Sequence, residues 1–166
     1  SAMSLASGKI AVVNFEQAIL NTDLAQQRIS AIESDESYKE NIEQAKKIQE
    51  EGRKMAERYQ KEAPTMSASD KALLESRISD KKADLEHVSR KLQDTRNAFI
   101  QGLMQEMQLA TTRAVKEIID ADGIGLLLNG NPQIILHADT SFDITAKLTD
   151  RLNRINSAAK PQAKKK

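Results

Sequence analysis

Hydrophobic positions along the chain form three short, nearly continuous runs near its ends and a stepped pattern between them. Residues 9–15 predict one β-strand, residues 123–128 a second and residues 133–137 a third. A lone strand can neither pair its backbone amides nor cover both of its faces. The first strand is therefore expected to return to the other two, and the middle of the chain is an excursion from a small β body.

The first half of this excursion carries apolar residues every three or four positions, as an amphipathic helix does. After a short helical turn capped by Asn14, the pattern predicts one long helix from a cap at residues 21–23 to about Glu62. Gly52 lies inside this helix. It is the expected weak point, because glycine is less favourable than alanine in a helix by up to ~1 kcal/mol.

The second half of the excursion predicts another long helix. Pro64 ends the first helix, and Ser67 caps the next one. The spacing then alternates between four and three residues, which gives a heptad seam of Leu74, Ile78, Lys81, Leu85, Val88, Leu92, Thr95 and Phe99. The nearest apolar partner is the preceding helix folded back as an antiparallel coiled coil. This pairing places Tyr59 near Leu74, and it also places Ile42 near Leu92.

The last third of the chain predicts the return to the body. The apolar pattern widens over residues 100–119, Gly123 ends the helix, residues 129–132 form a tight turn, and Asp143 caps a closing helix. The predicted fold is α+β: a long antiparallel helical hairpin, or coiled-coil tentacle, inserted in a small β body that oligomerises. The body takes residues 9–22 and 113–157, and the arm takes residues 23–112 with its tip near 63–70. Flexible termini take residues 1–8 and 158–166.

The amino-acid composition favours an extended shape, in which each residue exposes more surface than in a compact domain. Aromatic residues make up 3% and charged residues 30% of the 166 positions, which is poor material for a compact core. Three apolar strands cannot close a core alone, and exposed strand edges aggregate unless they are paired. The strands are therefore predicted to associate between copies of the chain, through Ile10, Val12, Leu126, Leu128, Ile135 and Leu136.

The overall charge of the chain does not indicate nucleic-acid binding, because the formal net charge is only +1. Locally, residues 23–45 carry a net charge of −4 and residues 46–96 a net charge of +3. The chain has no cysteine and no apolar run near the ~20 residues that span a bilayer. Residues 1–3 resemble a remnant of cloning, so a natural export signal is expected to have been replaced.

Candidate chemistry is sparse. His87 and His137 have no further ligands at metal spacing, and turn or cap roles account for Asp139 and Asp143. The glycines at 123 and 125 open a strand rather than a helix, so they do not form a phosphate loop. The sequence predicts neither an enzyme nor a cofactor.

The motifs at both ends of the chain resemble the Skp/OmpH family of periplasmic chaperones. The resemblance rests on residues 10–14 and 20–21 at the start, and on residues 122–128, 135–139, 141–145 and 151–153 at the end. Residues 66–67 before a long charged helix resemble the tip of the family's tentacle. The resemblance covers roughly residues 9–156. The family usually has Asp, Pro, Tyr and Pro where this chain has Asn14, Asp23, His137 and Thr140.

The resemblance implies a homotrimer with a central β-barrel-like core and three helical hairpins that enclose a cavity. It further implies an ATP-independent holdase that keeps unfolded outer-membrane β-barrel proteins from aggregating in the periplasm. Candidate client-binding residues are the basic side chains Lys81, Lys82, Arg90 and Lys91, for which a solvated coiled-coil surface is the alternative. Leu103, Met104 and Met107 are further candidates, for which a place in the body core is the alternative. Weak contact with anionic lipid or lipopolysaccharide stays open. The alternative function is a structural coiled-coil adaptor or a prefoldin-like cytosolic tentacled chaperone.

Overall fold

A computed structural model describes residues 8–159 of the chain, so most of the two predicted flexible termini lies outside the described residues. The body unit holds the described residues up to Ser30 and from Gln101 onward, and the hairpin unit runs from Ala31 to Ile100. In chain order the elements are β1 (Lys9–Val13), α1 (Phe15–Leu20), α2 (Asp23–Glu33), α3 (Glu36–Glu62), α4 (Ala68–Glu106), α5 (Gln108–Asp122), β2 (Ile124–Asn129) and α6 (Thr145–Ala159). Short 3₁₀ helices occupy Ala63–Thr65 and Thr140–Phe142. The fold is α+β and mostly helical.

The sheet of the body unit confirms two of the three predicted strands. β1 pairs with β2 in parallel, with Ile10 opposite Leu126. A parallel pair needs a long crossover, which the inserted helices provide. On the other side of β1, the Ile144 amide donates to the carbonyl of Val12 at 2.9 Å. β1 therefore lies between β2 and the start of the α6 segment.

The sheet begins with two glycine backbones in close approach. A Cβ added at Gly125 would lie 2.6 Å from the Cα of Gly8, and a Cβ at Gly8 would meet the Gly125 backbone in the same way. Any side chain at either position would force the strands apart. The strand register is irregular at the neighbouring Lys9, where the pairing skips Gly125.

The predicted third strand at residues 133–137 is wrong. The Asn131 carbonyl accepts hydrogen bonds from the amides of Ile134 and Ile135, both at 2.9 Å. The Asn131 side chain accepts from the Gln133 amide at 2.9 Å, and Pro132 has no amide hydrogen to donate. The backbone amides of residues 133–135 therefore donate within a turn. A sheet ladder would need the same amides as donors.

The hairpin unit confirms the predicted antiparallel pairing of two long helices. α3 ends at a 3₁₀ turn that contains Pro64, and the Ser67 hydroxyl accepts from the Asp70 amide at 3.1 Å as the predicted cap of α4. Near the tip, the Tyr59 hydroxyl donates to Glu75 at 2.5 Å, which agrees with the predicted placement of Tyr59 near Leu74. Leu74, Val88 and Ile48 are the buried residues of this unit.

Both long helical segments are interrupted where the sequence predicted continuity. A break at Ser34–Asp35 separates α2 from α3, because the Asp35 side chain accepts from the Tyr38 amide and caps a new helix. α3 runs unbroken through Gly52, so the predicted weak point is not a break. A second interruption, at Met107, separates α4 from α5. The predicted stop at Gly123 is confirmed by its left-handed conformation, φ 66°.

The core of the body unit lies between the sheet and helices α1, α5 and α6. Its largest fully buried side chains include Ile19, Ile118, Leu148 and Leu152. Asp143 accepts from the Thr145 amide at 2.8 Å, which confirms the predicted cap of α6. The Thr145 hydroxyl also accepts from the Asn14 amide at 3.0 Å, so the end of β1 is tied to the start of the closing helix.

Candidate assembly and binding surfaces

The two faces of the sheet differ in exposure. Strand alternation places Ala11 and Val13 on the inner face, where both are buried. The outer face, defined here as Ile10, Val12, Leu126 and Leu128, contains four of the six residues predicted to mediate assembly. Ile10 and Leu126 oppose each other in the register and are 50% and 49% exposed, whereas Val12 is already buried within the chain. Apolar surface is thus left open on this face.

An apolar cleft of about 320 Å³ continues from the outer face. Its walls include Ile135, His137, Asp139 and Phe142 from the segment that follows β2. Beside it, Leu136 is 93% exposed and Ile134 is 73% exposed. The two remaining predicted assembly residues, Ile135 and Leu136, therefore lie in an irregular apolar segment rather than in a strand.

One edge of the sheet is open within the described residues. There, β2 has β1 as its strand neighbour on one side and no strand on the other. An unpaired strand edge combined with exposed leucine and isoleucine side chains is a template for pairing with another chain.

The apolar candidates for client binding are mostly core residues. Leu103 and Met107 are each 2% exposed, and Met104 is half-buried. Met107 lies at the break between α4 and α5, where its sulfur accepts a long hydrogen bond, 4.0 Å, from the buried Thr22 hydroxyl. Glu106, the residue before Met107, forms a bidentate ion pair with Arg28. Of the three candidates, Met104 offers the largest accessible surface.

The body helices α5 and α6 are joined by ion pairs. Glu117 accepts from Arg113 at 2.9 Å on its own helix and from Arg151 at 3.1 Å on α6. These bonds, the one from Arg113 first, lower the pKa of Glu117. Lys147 donates to Asp122 at 2.5 Å and lowers the pKa of that carboxyl.

The cations of the two hairpin helices have different partners. On α3, every lysine and arginine except Lys47 forms an ion pair with a glutamate of the same helix. These paired α3 cations are Lys39, Lys46, Arg53, Lys54, Arg58 and Lys61. Most of the α4 cations make no ion pair with any described residue; these free α4 cations are Arg77, Lys82, Arg90, Lys91 and Arg96. The predicted contact residues Lys82, Arg90 and Lys91 belong to the free set.

Lys81 differs from the other predicted contact residues. Its ammonium group donates to Glu51 on the opposite helix at 2.5 Å, and both side chains are partly buried. The hydrogen bond with Glu51 raises the pKa of Lys81, and the same bond is the main reason that the pKa of Glu51 is lowered. Lys81 is therefore already engaged within the chain.

Two structural roles were missed from the sequence. The close approach of Gly8 to Gly125 has no local sequence signature, because it depends on two strands that meet from opposite ends of the chain. The partner of Lys81 was missed narrowly, since the predicted pairing of the two helices places residues 52 and 53 opposite residue 81, whereas the structure pairs it with Glu51. Within residues 8–159 there is no group of three or more histidine, aspartate or glutamate side chains that could hold a metal ion.

The amino-acid sequence is similar to proteins of one described family. A family model described as "Outer membrane protein (OmpH-like)" matches residues 9–152, which spans both units. A "Skp-like protein" of Pseudomonas aeruginosa PAO1 is 21% identical over 152 residues, covering 92% of this chain and 88% of the relative. Across the described residues, none of the helices combines the length and hydrophobicity needed to traverse a bilayer.

Proposed function

The chain belongs to the OmpH-like family, and on that basis we propose that it is an ATP-independent holdase for unfolded outer-membrane proteins. The family assignment confirms the resemblance drawn from the terminal motifs. Membership suggests a chaperone role toward outer-membrane proteins and a periplasmic location. The finer proposal is that the protein binds unfolded β-barrel chains and keeps them from aggregating, without catalysis.

The observation that carries the proposal is the pair of units itself. The hairpin unit presents a long polar surface with five free α4 cations, and the body unit leaves apolar surface and a strand edge open. Holding an unfolded chain by many weak contacts requires extended surface and repeated arms, with no reactive side chain. We propose that three copies associate through the outer face and the segment around Leu136, and that the hairpins supply the client-binding walls.

The direct test is a light-scattering assay. An unfolded β-barrel protein is diluted out of denaturant with and without this protein, in the absence of nucleotide. The proposal expects suppression of scattering that saturates at a fixed ratio of chaperone to client. Unchanged scattering at a large excess would contradict it, and would leave the structural coiled-coil adaptor as the stronger alternative.

A shortened hairpin tests which unit binds the client. The pairing of residues 51 and 52 with Lys81 places residues 45 and 88 opposite each other. Deleting residues 46–87 and joining the ends through a short Gly-Asn-Gly turn keeps the remaining helices in register. We expect this variant to assemble as the parent does and to lose protection of the client. Full protection by the shortened protein would show that the hairpin is not the binding element.

A further inference from the structure

Lys81 is a charged residue at a core position of the heptad seam. The preceding seam residue is Ile78, and the following ones are Leu85 and Val88. Val88 is almost fully buried and Ile78 and Leu85 are half-buried, so Lys81 stands in an apolar row. A charge at such a position lowers the stability of a coiled coil unless it has a partner.

The two helices lie close together at this lysine. A Cβ added at Gly52 would lie 3.7 Å from the Cβ of Lys81, so the lysine stem runs directly above the Gly52 backbone. The ammonium group then reaches the adjacent Glu51 at 2.5 Å. The lysine side chain therefore approaches two consecutive α3 residues, Glu51 and Gly52, and forms its ion pair with the first.

Apolar contacts alone do not determine how the two helices align along their length. Ile48 and Met55 are one heptad apart on α3, and Ile78 and Leu85 are one heptad apart on α4. A slip of seven residues would therefore exchange one apolar partner for another. The slip that brings residue 44 opposite Lys81 moves the turn back by only three to four residues, and Pro64 then falls near the start of the second helix, where proline is acceptable. The slip in the other direction would place Pro64 inside the first helix, which proline itself disfavours.

The charged residues do distinguish the alignments. The residues one heptad before and after Glu51 are Gln44 and Arg58. A slip in one direction would place Lys81 beside an uncharged amide, and a slip in the other would place it beside a second cation. Either slip would also leave Glu51 among seam residues without its cation. The native alignment is the one that pairs both charges.

We propose that the Glu51–Lys81 pair above Gly52 is a register lock, which selects the native alignment of the hairpin against alignments slipped by one heptad. Polar pairs at coiled-coil core positions are best attested in this role. The lock would fix which residues of α3 and α4 share each face of the arm.

Spin-label distances in the full-length protein test the lock. The chain has no cysteine, so Gln49→Cys and Asn97→Cys, both at exposed sites, give two clean labels that are far apart along the hairpin. The labelled chain is assembled with excess unlabelled chain, which leaves only distances within one hairpin. A slip of one heptad changes the separation by up to about 10 Å, since each helical residue advances about 1.5 Å.

The decisive variant moves the carboxylate by one heptad, Glu51→Gln with Gln44→Glu, and keeps the composition constant. We expect a single distance between the two labels in the parent and in the Gln44→Glu control. In the double variant with the relocated carboxylate we expect a second label-to-label distance, shifted from the parental one. A relocated variant with the parental distance alone would show that the turn sets the register, which overturns the proposal. If that variant loses helicity, Glu51→Leu with Lys81→Leu replaces it. A single parental distance in this folded, uncharged variant would equally overturn the lock.

Discussion

Replacing Leu136 with serine tests whether the segment beside the sheet is an assembly surface. Leu136 is 93% exposed in the single chain. Because the side chain contacts almost nothing there, its removal should change the stability of an isolated chain by no more than about 0.5 kcal/mol. Any larger effect must come from contacts with another copy.

The expected magnitude follows from the exposed area. Full burial of a leucine side chain stabilises by about 1.5–3 kcal/mol, so three such burials contribute about 4.5–9 kcal/mol to a trimer. Trimer formation depends on the square of the chain concentration. The concentration at which half of the chains are assembled should therefore rise roughly 40-fold at the lower end of this range, since 1.4 kcal/mol is tenfold in an equilibrium constant.

Sedimentation velocity over a dilution series measures this midpoint. The matched control is Leu109→Ser, which removes a leucine that is 85% exposed in the first turn of α5 and belongs to neither the outer face nor the segment around Leu136. We expect the control to assemble as the parent does. Equal weakening by both variants, or no shift with Leu136→Ser, would refute the assignment of this segment to the interface.

Three further predictions concern the sheet, the body helices and the hairpin. Gly125→Ala should lower the free energy of unfolding by about 1–3 kcal/mol through overpacking, whereas Gly102→Ala, which meets nothing within 4 Å, should be neutral or stabilising in the same thermal denaturation. The pKa of Glu117 is lowered in the folded protein. The ionised Glu117 side chain therefore contributes to the free energy of unfolding above the ordinary glutamate pKa of about 4.3, and this contribution is lost as the pH falls through the lower folded-state pKa. The stability difference between the parent and Glu117→Gln should therefore shrink from pH 6 to pH 3, and a constant difference would contradict this. Reversing three of the free α4 cations should slow client association in stopped-flow experiments at low salt and leave it unchanged at high salt. Equal slowing on reversal of three paired α3 cations would show that only net charge matters.

Local chemistry made most of the helix ends predictable. Asn14, Ser67 and Asp143 accept hydrogen bonds from amides two or three residues ahead, and Gly123 adopts a left-handed conformation. These interactions involve near neighbours in the chain, so residue type and spacing are sufficient to locate them. The seam of α4 was predictable for a similar reason, because its period is set by helix geometry.

The two unforeseen helix breaks have different origins. Asp35 could have been recognised as a cap, but the continuous apolar pattern on both sides favoured one long helix. The break at Met107 lies where a buried sulfur meets the Thr22 hydroxyl, 85 residues earlier in the chain. A contact of that kind has no local signature.

The sequence alone determined the α+β class, the inserted hairpin and the family. Periodicity, capping and the terminal motifs depend on residues close together in the chain. Only the tertiary structure decided that β1 and β2 run in parallel, that residues 133–137 follow a turn at Asn131 instead of forming a strand, and that Lys81 is held by Glu51 rather than left free. The parallel pairing and the Lys81–Glu51 contact join residues far apart in the chain, and the turn uses backbone donors that a sheet ladder would also need. A linear pattern of residue types does not show which of the available partners such a group finds.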